Sequence, residues 1–176
     1  LRNLHTRHAF GVLTAAKVQH LDHQHLHTQH YEPVFNTPKV ALITEYPLMH
    51  SAQSLVTVNV HGLNFVDTGK FQAQLQQLAD HIQHHPGPMI VAGDFNTWNG
   101  PRMALLRSLM TQLGLAPVQF PKAHDRRLKR FLWSDPLDHI FYRGLAVRPD
   151  SARVLDKLKS SDHVPMVVEF YAVSSR

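Results

Sequence analysis

The sequence predicts an α+β domain built mainly from strands, with two helices packed beside them. Short runs rich in branched and aromatic residues recur along the chain, and each ends at glycine, proline or polar residues. Only two segments repeat apolar residues at the spacing of a helix. The chain has 176 residues, of which 43% are hydrophobic, so it can bury one core of ordinary size.

Six apolar runs are predicted as strands. Residues 20–30, between the first two of these runs, are rich in histidine. There Leu26 alternates with polar neighbours, which predicts an exposed strand or a surface loop. Three imidazoles at period-two spacing would lie on one face of such a strand, where they could bind Zn²⁺ or Ni²⁺. A polar surface segment without metal is the alternative. The six predicted strands cover residues 9–15, 39–48, 55–60, 88–91, 137–142 and 164–172.

The two helices are marked by their apolar faces and their ends. The first covers residues 70–85, and Pro86 stops it. Pro101 begins the second, and Gly114 fits its C-terminal cap. One face of the first helix carries Phe71, Leu75, Leu78 and Ile82, and one side of the second carries Leu105, Leu106, Leu109, Met110 and Leu113.

Composition narrows the class of protein. The formal net charge of +5 favours an anionic partner such as a nucleic acid or a phosphoester. The chain has no cysteine, which excludes a disulfide scaffold and a thiolate metal site. No apolar run approaches the roughly 18 residues that span a bilayer, and no secretory signal is visible. A cytoplasmic location is favoured, while a periplasmic or membrane-anchored parent protein stays open.

Four short polar motifs stand at the ends of predicted strands. They are Asn59–His61, Gly93–Asn96, Leu137–His139 and Ser161–His163. Carboxylate, amide and imidazole groups together could hold a hard cation, or polarise a water beside a phosphoryl group. Taken singly, each motif has a structural alternative, such as turn formation or a solvated loop. Their joint occurrence, in this order, favours one functional site.

In this order the motifs resemble the endonuclease/exonuclease/phosphatase family, which has the deoxyribonuclease I fold. The family pattern of N-x-H, GDFN, a strand-borne aspartate and a closing S-D-H is met at residues 59–61, 93–96, 138 and 161–163. The likeness covers nearly the whole chain. It is closest to YafD-type bacterial proteins, through ITEYPL, VNVHGLNF and DHIFYRGL. The resemblance implies a two-sheet β-sandwich flanked by helices, in four α/β/β/α layers.

The resemblance also implies a catalytic role for five residues. Asp94 would position the attacking water or contact a metal, and Asn96 would bond the phosphoryl oxygens. His163 would act as base or acid, with Asp138 holding its imidazole. His61 would donate to a phosphate oxygen.

The resemblance also implies a metal ion, but part of the family's ligand set is not found in this sequence. The family's usual ion is Mg²⁺ or Mn²⁺, and Asp162 would reach it. The family's first strand with an asparagine, and the later Q-E pair whose glutamate is a principal ligand, are not found. Glu32, Glu45 and Glu169 stand in the wrong places. We therefore predict a single domain over residues 1–176 that lacks its first strands and helix, with weak or no activity in this fragment and self-association through an exposed sheet edge.

A basic segment with aromatic residues predicts the substrate surface. Cations would contact phosphates and rings would stack on bases. A solvated basic loop with Trp133 packed inward is the alternative, and Trp98 either faces the substrate or fills the wall beneath it. The predicted substrate-binding residues are Arg126, Arg127, Lys129, Arg130, Trp98 and Trp133.

The predicted function is divalent-metal-dependent hydrolysis of a phosphoester with water as the nucleophile. A phosphodiesterase or nuclease is preferred because of the net charge and the basic segment. A phospholipid or inositol-phosphate phosphatase is one alternative. A non-catalytic module that binds phosphate or nucleic acid on the same scaffold is the other.

Overall fold

The computed structural model describes residues 11–33, 36–49, 51–130, 134–158 and 160–173. Within them, the main sheet has six strands in the order β1-β2-β3-β4-β6-β5. These are β1 (Asp22–Tyr31), β2 (Pro38–Pro47), β3 (Ser54–His61), β4 (Met89–Asp94), β5 (Ala116–Pro117) and β6 (Asp138–Arg143). The helices are α1 (Thr68–Ile82), α2 (Gly100–Gln112) and the short α3 (Lys122–Asp125). Two small sheets pair β7 (Leu145–Val147) with β10 (Phe170–Ala172), and β8 (Arg153–Val154) with β9 (Met166–Val167).

The central pair of strands runs parallel, and this decides where the polar motifs meet. Strands β3 and β4 pair in parallel, with α1 as the crossover between them, whereas the other pairs of the main sheet are antiparallel. The C-terminal ends of β3 and β4 therefore lie at the same edge of the sheet. Strand β6 runs the other way, so its first residue, Asp138, reaches that edge too.

The core lies between one face of the main sheet and the two longer helices. Val58 and Val91 of the sheet are buried there against Phe71 of α1 and Leu106 of α2. The opposite face is covered in part by the chain before β1, where the Asn59 side chain donates to the Leu13 carbonyl at 2.9 Å. Both helices follow the predicted apolar spacing, so the predicted α+β class is confirmed.

Each long helix begins at a polar side chain that accepts a backbone N–H. Asp67 caps α1 by accepting from the N–H of Lys70, and Asn99 caps α2 by accepting from the N–H of Arg102 at 2.9 Å. Gly114 follows α2 with a φ of 70°, as its predicted capping role requires.

The chain termini differ from the prediction. Residues 11–15 form no strand, although a strand was predicted over 9–15, and residues 9 and 10 lie outside the described part. The predicted final strand over 164–172 is split into β9 and β10, which pair with different partners. An apolar run becomes a strand only where a neighbouring strand offers its backbone groups. The short strands β5, β7 and β8 were not predicted, because they too depend on their partners in the sheet.

No helix in the described ranges has the length and apolar character that a membrane span requires.

Candidate phosphoester site

Three of the predicted residues lie side by side because of the strand register. His61 at the end of β3 pairs with Asp94 at the end of β4, and Asp94 pairs with Asp138 at the start of β6. Paired residues of neighbouring strands project from the same face of a sheet. The sheet itself therefore brings the imidazole and the two carboxylates together.

The turn that carries Asp94 depends on Gly93. Its φ of 145° is a conformation that L side chains rarely adopt, and a Cβ atom at this position would stand 2.0 Å from the carbonyl oxygen of Val60. Gly93 thus permits the close approach of β3 and β4 immediately before the two functional residues.

Asn96 stabilises this turn from within. Its backbone N–H donates to Asp94 Oδ1 at 2.9 Å, and its side-chain Nδ2 donates to the carbonyl of Gly62 at 2.9 Å. The residue has a φ of 52° and only 3% of its surface is exposed. In this arrangement Asn96 orients the Asp94 carboxylate. Its implied bond to a phosphoryl oxygen stays a prediction.

His163 comes from the loop before β9 and completes the cluster. Its Nδ1–H donates to Asp138 Oδ2 at 2.7 Å, and its Nε2 lies 3.9 Å from Asp94 Oδ2. Burial raises the pKa of Asp138, and the hydrogen bond from His163 opposes that effect. The bond to Asp138 fixes the ring so that Nε2 is aimed at Asp94.

His61 approaches the same carboxylate oxygen from the other side. Its Nε2 lies 3.8 Å from Asp94 Oδ2. Burial lowers the pKa of His61, and the positive charge of Lys39 lowers it further. Both effects favour the neutral form of His61. One oxygen of Asp94 thus stands between two imidazole nitrogens, each beyond direct hydrogen-bond distance.

An ion pair beneath the site was not predicted from the sequence. Glu32 Oε2 lies 3.2 Å from Lys39 Nζ, and Glu32 Oε1 accepts the backbone N–H of Asn64 at 2.7 Å. Glu32 is only 5% exposed. It joins the end of β1 to the loop after His61, a contact between distant positions that no local pattern signals.

Asp162 forms an ion pair with Lys129, and its charge also raises the pKa of Asp138 in this cluster. Its carboxylate lies 3.3 Å from Lys129 Nζ, and its side chain is 79% exposed. The hydrogen bond from Lys129 holds the pKa of Asp162 below its usual value. Throughout the described ranges, no three His, Asp or Glu side chains are arranged to hold a metal ion. These residues do not form a complete metal centre, and the metal role of Asp162 stays a prediction.

Most of the predicted basic surface is internally paired. Arg127 Nη1 lies 3.1 Å from Asp156, and Arg130 Nη2 donates to Asp125 at 2.7 Å. With Lys129 bonded to Asp162, three of these four cations have a carboxylate partner. Arg126 is exposed, and Trp133 lies outside the described residues. The basic segment therefore offers less free charge to a polyanion than its sequence indicates.

Trp98 is half-buried beside the cluster. Its Nε1–H donates to Asn64 Oδ1 at 3.0 Å, and the guanidinium of Arg102 lies 5.2 Å from the centre of its ring. Both contacts hold the indole against the loop after His61 and against α2. That it fills the wall of the site stays a prediction, and so does a contact with substrate.

The histidine-rich segment is the exposed outer strand β1. The rings of His20 and His23 meet edge to face with 5.0 Å between their centres, and those of His23 and His25 with 5.5 Å. None of the three belongs to a group arranged for metal within the described part of the chain.

A buried histidine next to the site predicts acid sensitivity. His139 Nε2 lies 2.7 Å from the hydroxyl of Thr97, and burial lowers the pKa of His139 to about 4. In the unfolded chain the pKa of His139 is near 6.5, so as the pH falls the unfolded chain protonates this imidazole before the folded protein does. We therefore expect the free energy of unfolding to drop by about 2 kcal/mol between pH 7 and pH 5 through this residue alone.

Urea unfolding of wild type and His139→Gln at both pH values measures this effect. The variant should lose about 2 kcal/mol less than the wild type over the same interval. His81→Gln, at an exposed histidine of α1, is the matched control and should keep the wild-type dependence. An equal pH dependence in His139→Gln and wild type would contradict the assignment.

The main sheet carries helices on one face, with carboxylates and imidazoles at its strand ends. This arrangement defines a deoxyribonuclease I-like protein. The chain belongs to the endonuclease/exonuclease/phosphatase family, whose model matches residues 4–163. Among curated proteins, a UPF0294 protein of Klebsiella pneumoniae is 40% identical over 165 residues, which are 93% of this chain and 58% of that protein. The chain thus spans under two thirds of the length of this relative.

Solved structures of the family share the fold. An endonuclease/exonuclease/phosphatase from Bacteroides vulgatus superposes with a TM-score of 0.64 and 15% identity, covering 88% of this chain and 66% of that one. TDP2 of D. rerio, complexed with a single-strand DNA product, superposes with a TM-score of 0.58 and 18% identity, covering 88% and 68%. The predicted family and fold are confirmed.

Proposed function

We propose that the protein containing this chain hydrolyses a phosphoester with water as the nucleophile. The observation that carries the proposal is the position of Asp94 Oδ2 between His61 Nε2 and His163 Nε2, at 3.8 and 3.9 Å. A water beside these groups can donate one hydrogen bond to the carboxylate and another to an imidazole lone pair. The family membership supports the same chemistry.

The hydrogen bonds suggest how the proton moves. Because His163 donates its Nδ1–H to Asp138, the neutral ring presents a lone pair at Nε2. It can take a proton from the attacking water, and the Asp138 carboxylate stabilises the imidazolium that forms. Neutral His61 can donate its Nε2–H to a phosphoryl oxygen. The Asp94 carboxylate would orient the attacking water. As the new bond to phosphorus forms, the bond from phosphorus to the leaving oxygen breaks, and the leaving oxygen takes a proton from solvent water.

A divalent cation, Mg²⁺ or Mn²⁺, stays a prediction for the whole protein. The described residues do not complete a site for it, and the steps above use only side chains of this chain. A cytoplasmic location, self-association through an exposed sheet edge, and a single domain lacking its first strands also stay predictions.

A nucleic-acid phosphodiester is the proposed substrate. The net charge of +5 supports it, and the complex of TDP2 with single-strand DNA product shows that this fold can take such a ligand. The basic segment gives less support, because three of its side chains are paired with carboxylates. A phospholipid or inositol-phosphate substrate is the alternative, and the assay below includes it.

The test is an assay of the full-length protein on DNA, RNA, an inositol phosphate and a phospholipid, with Mg²⁺, Mn²⁺ or EDTA. Asp94→Asn keeps the shape of the side chain and removes its charge, so we expect it to lower kcat/KM by at least about 10²-fold. Asp80→Asn, at an exposed residue of α1, is the matched control and should retain the wild-type rate.

The outcomes separate the alternatives. Loss of hydrolysis in EDTA would support the metal prediction for the whole protein. Full activity of Asp94→Asn would refute the proposed site. Binding of nucleic acid or phosphate without turnover of any substrate would favour the non-catalytic module.

A further inference from the structure

An exposed aromatic ring stands on the loop that leaves the site. Phe65 is 62% exposed and has a φ of 51°, in the left-handed region that bulky residues rarely occupy. A residue held in this conformation persists only where its surroundings over-determine it, and such positions concentrate at functional sites.

The top of the loop is fixed by Asn64. Its side-chain Oδ1 accepts both the backbone N–H of Phe65 at 2.9 Å and the Nε1–H of Trp98 at 3.0 Å. Its own backbone N–H donates to buried Glu32 at 2.7 Å. One amide thus couples the exposed ring to the indole of Trp98.

The underside of the loop is fixed by a buried arginine. Arg102 is 1% exposed and donates to the carbonyl of Leu63 and, at 3.2 Å, to the carbonyl of Val66. Its guanidinium stacks 4.1 Å from the centre of the Phe71 ring. The residues on both sides of Phe65 are therefore anchored, and the ring is presented to solvent on a stiff support.

The ring is close along the chain to the proposed reaction centre. Phe65 follows His61 by four residues, so their Cα atoms are at most about 14 Å apart. A ligand with a phosphate at Asp94 and His61 can place a flat group one or two nucleotide units away within this upper limit.

We infer that Phe65 is a stacking platform for a nucleobase of the phosphodiester bound at the adjacent site, an inference that rests on the proposed function. An aromatic face accepts any base, because every base has a π-face, so the platform confers a preference for nucleotides without reading sequence. A rigid ring loses little conformational entropy on stacking, which explains the strained and tightly bonded loop.

The test compares a single-stranded DNA oligonucleotide with an abasic oligonucleotide of equal length, by fluorescence anisotropy with the full-length protein. Stacking of one base predicts that Phe65→Ala lowers the ratio of the two affinities by about 5- to 150-fold. Phe65→Trp, which retains an aromatic face, should keep the ratio. Tyr171→Ala, at another exposed aromatic ring (55%), is the matched control and should leave it unchanged.

Each result decides the inference. An unchanged ratio in Phe65→Ala, or equal weakening of both ligands, would overturn it and assign the ring to another contact. A 5′-mononucleotide competitor distinguishes a free nucleotide from an oligonucleotide as the source of the base. Base-dependent binding that needs Phe65, together with wild-type protein that cleaves no phosphoester, would keep this inference and overturn the proposed function.

Discussion

We expect His163→Asn to lower kcat/KM for phosphoester hydrolysis by about 10²- to 10⁴-fold, the usual contribution of a general acid or base. Asparagine can still donate to Asp138 but has no titratable nitrogen facing Asp94. The affinity for substrate should change far less than the rate, because the imidazole takes up the water's proton only during the chemical step. Initial rates on the full-length protein, at saturating and limiting substrate, measure both.

His84→Asn is the control for this substitution, since His84 is exposed beyond the end of α1. It should match the wild type in both rate and affinity. Asp138→Asn should lower the rate in the same direction as His163→Asn, because a carboxamide stabilises the imidazolium less than a carboxylate does. If His163→Asn hydrolyses substrate at the wild-type rate, His163 is not the general base.

The largest structural effect is expected from Gly93→Ala. A Cβ atom would stand 2.0 Å from the backbone oxygen of Val60, and the φ of 145° is strained for any L side chain. Backbone cannot move aside as a flexible side chain can, so the two central strands must separate. We expect a loss of about 4 kcal/mol or more in the free energy of unfolding, measured by urea denaturation with circular dichroism.

Gly100→Ala supplies the comparison for Gly93→Ala. A Cβ atom at Gly100 meets nothing within 4 Å, and the residue opens α2. Alanine favours a helix over glycine, so this variant should be as stable as the wild type or slightly more stable. If both variants unfold at the same urea concentration, the claim that Gly93 is needed for the close approach of β3 and β4 is wrong.

Local patterns were sufficient where an element depends on its own residues. The apolar spacing of α1 and α2 and the branched residues of β2 and β3 predicted those elements, and the structure confirms them. The terminal strands were mistaken because strand formation needs a partner, which hydrophobicity does not reveal. Residues 11–15 are apolar enough for a strand and still lie outside every sheet.

The residue types of the candidate site were also evident before their positions were known. GDFN, the strand-borne Asp138 and the closing S-D-H predicted a cluster, and Asp94, Asp138, His61 and His163 do meet. The contacts around them were hidden. Glu32 was set aside because of its order along the chain, and neither the Arg102 anchor nor the exposed Phe65 left a local signal.

The sequence by itself determined the family, the α+β class and the chemical groups available for catalysis, because these follow from residue type, order and periodicity. Only the tertiary structure decided which groups share a site. Pairing in the sheet sets Asp94 between His61 and Asp138, whereas Asp162, in a loop, pairs with Lys129. The tertiary structure also decided that most of the basic segment is neutralised, because an ion pair depends on distance in space.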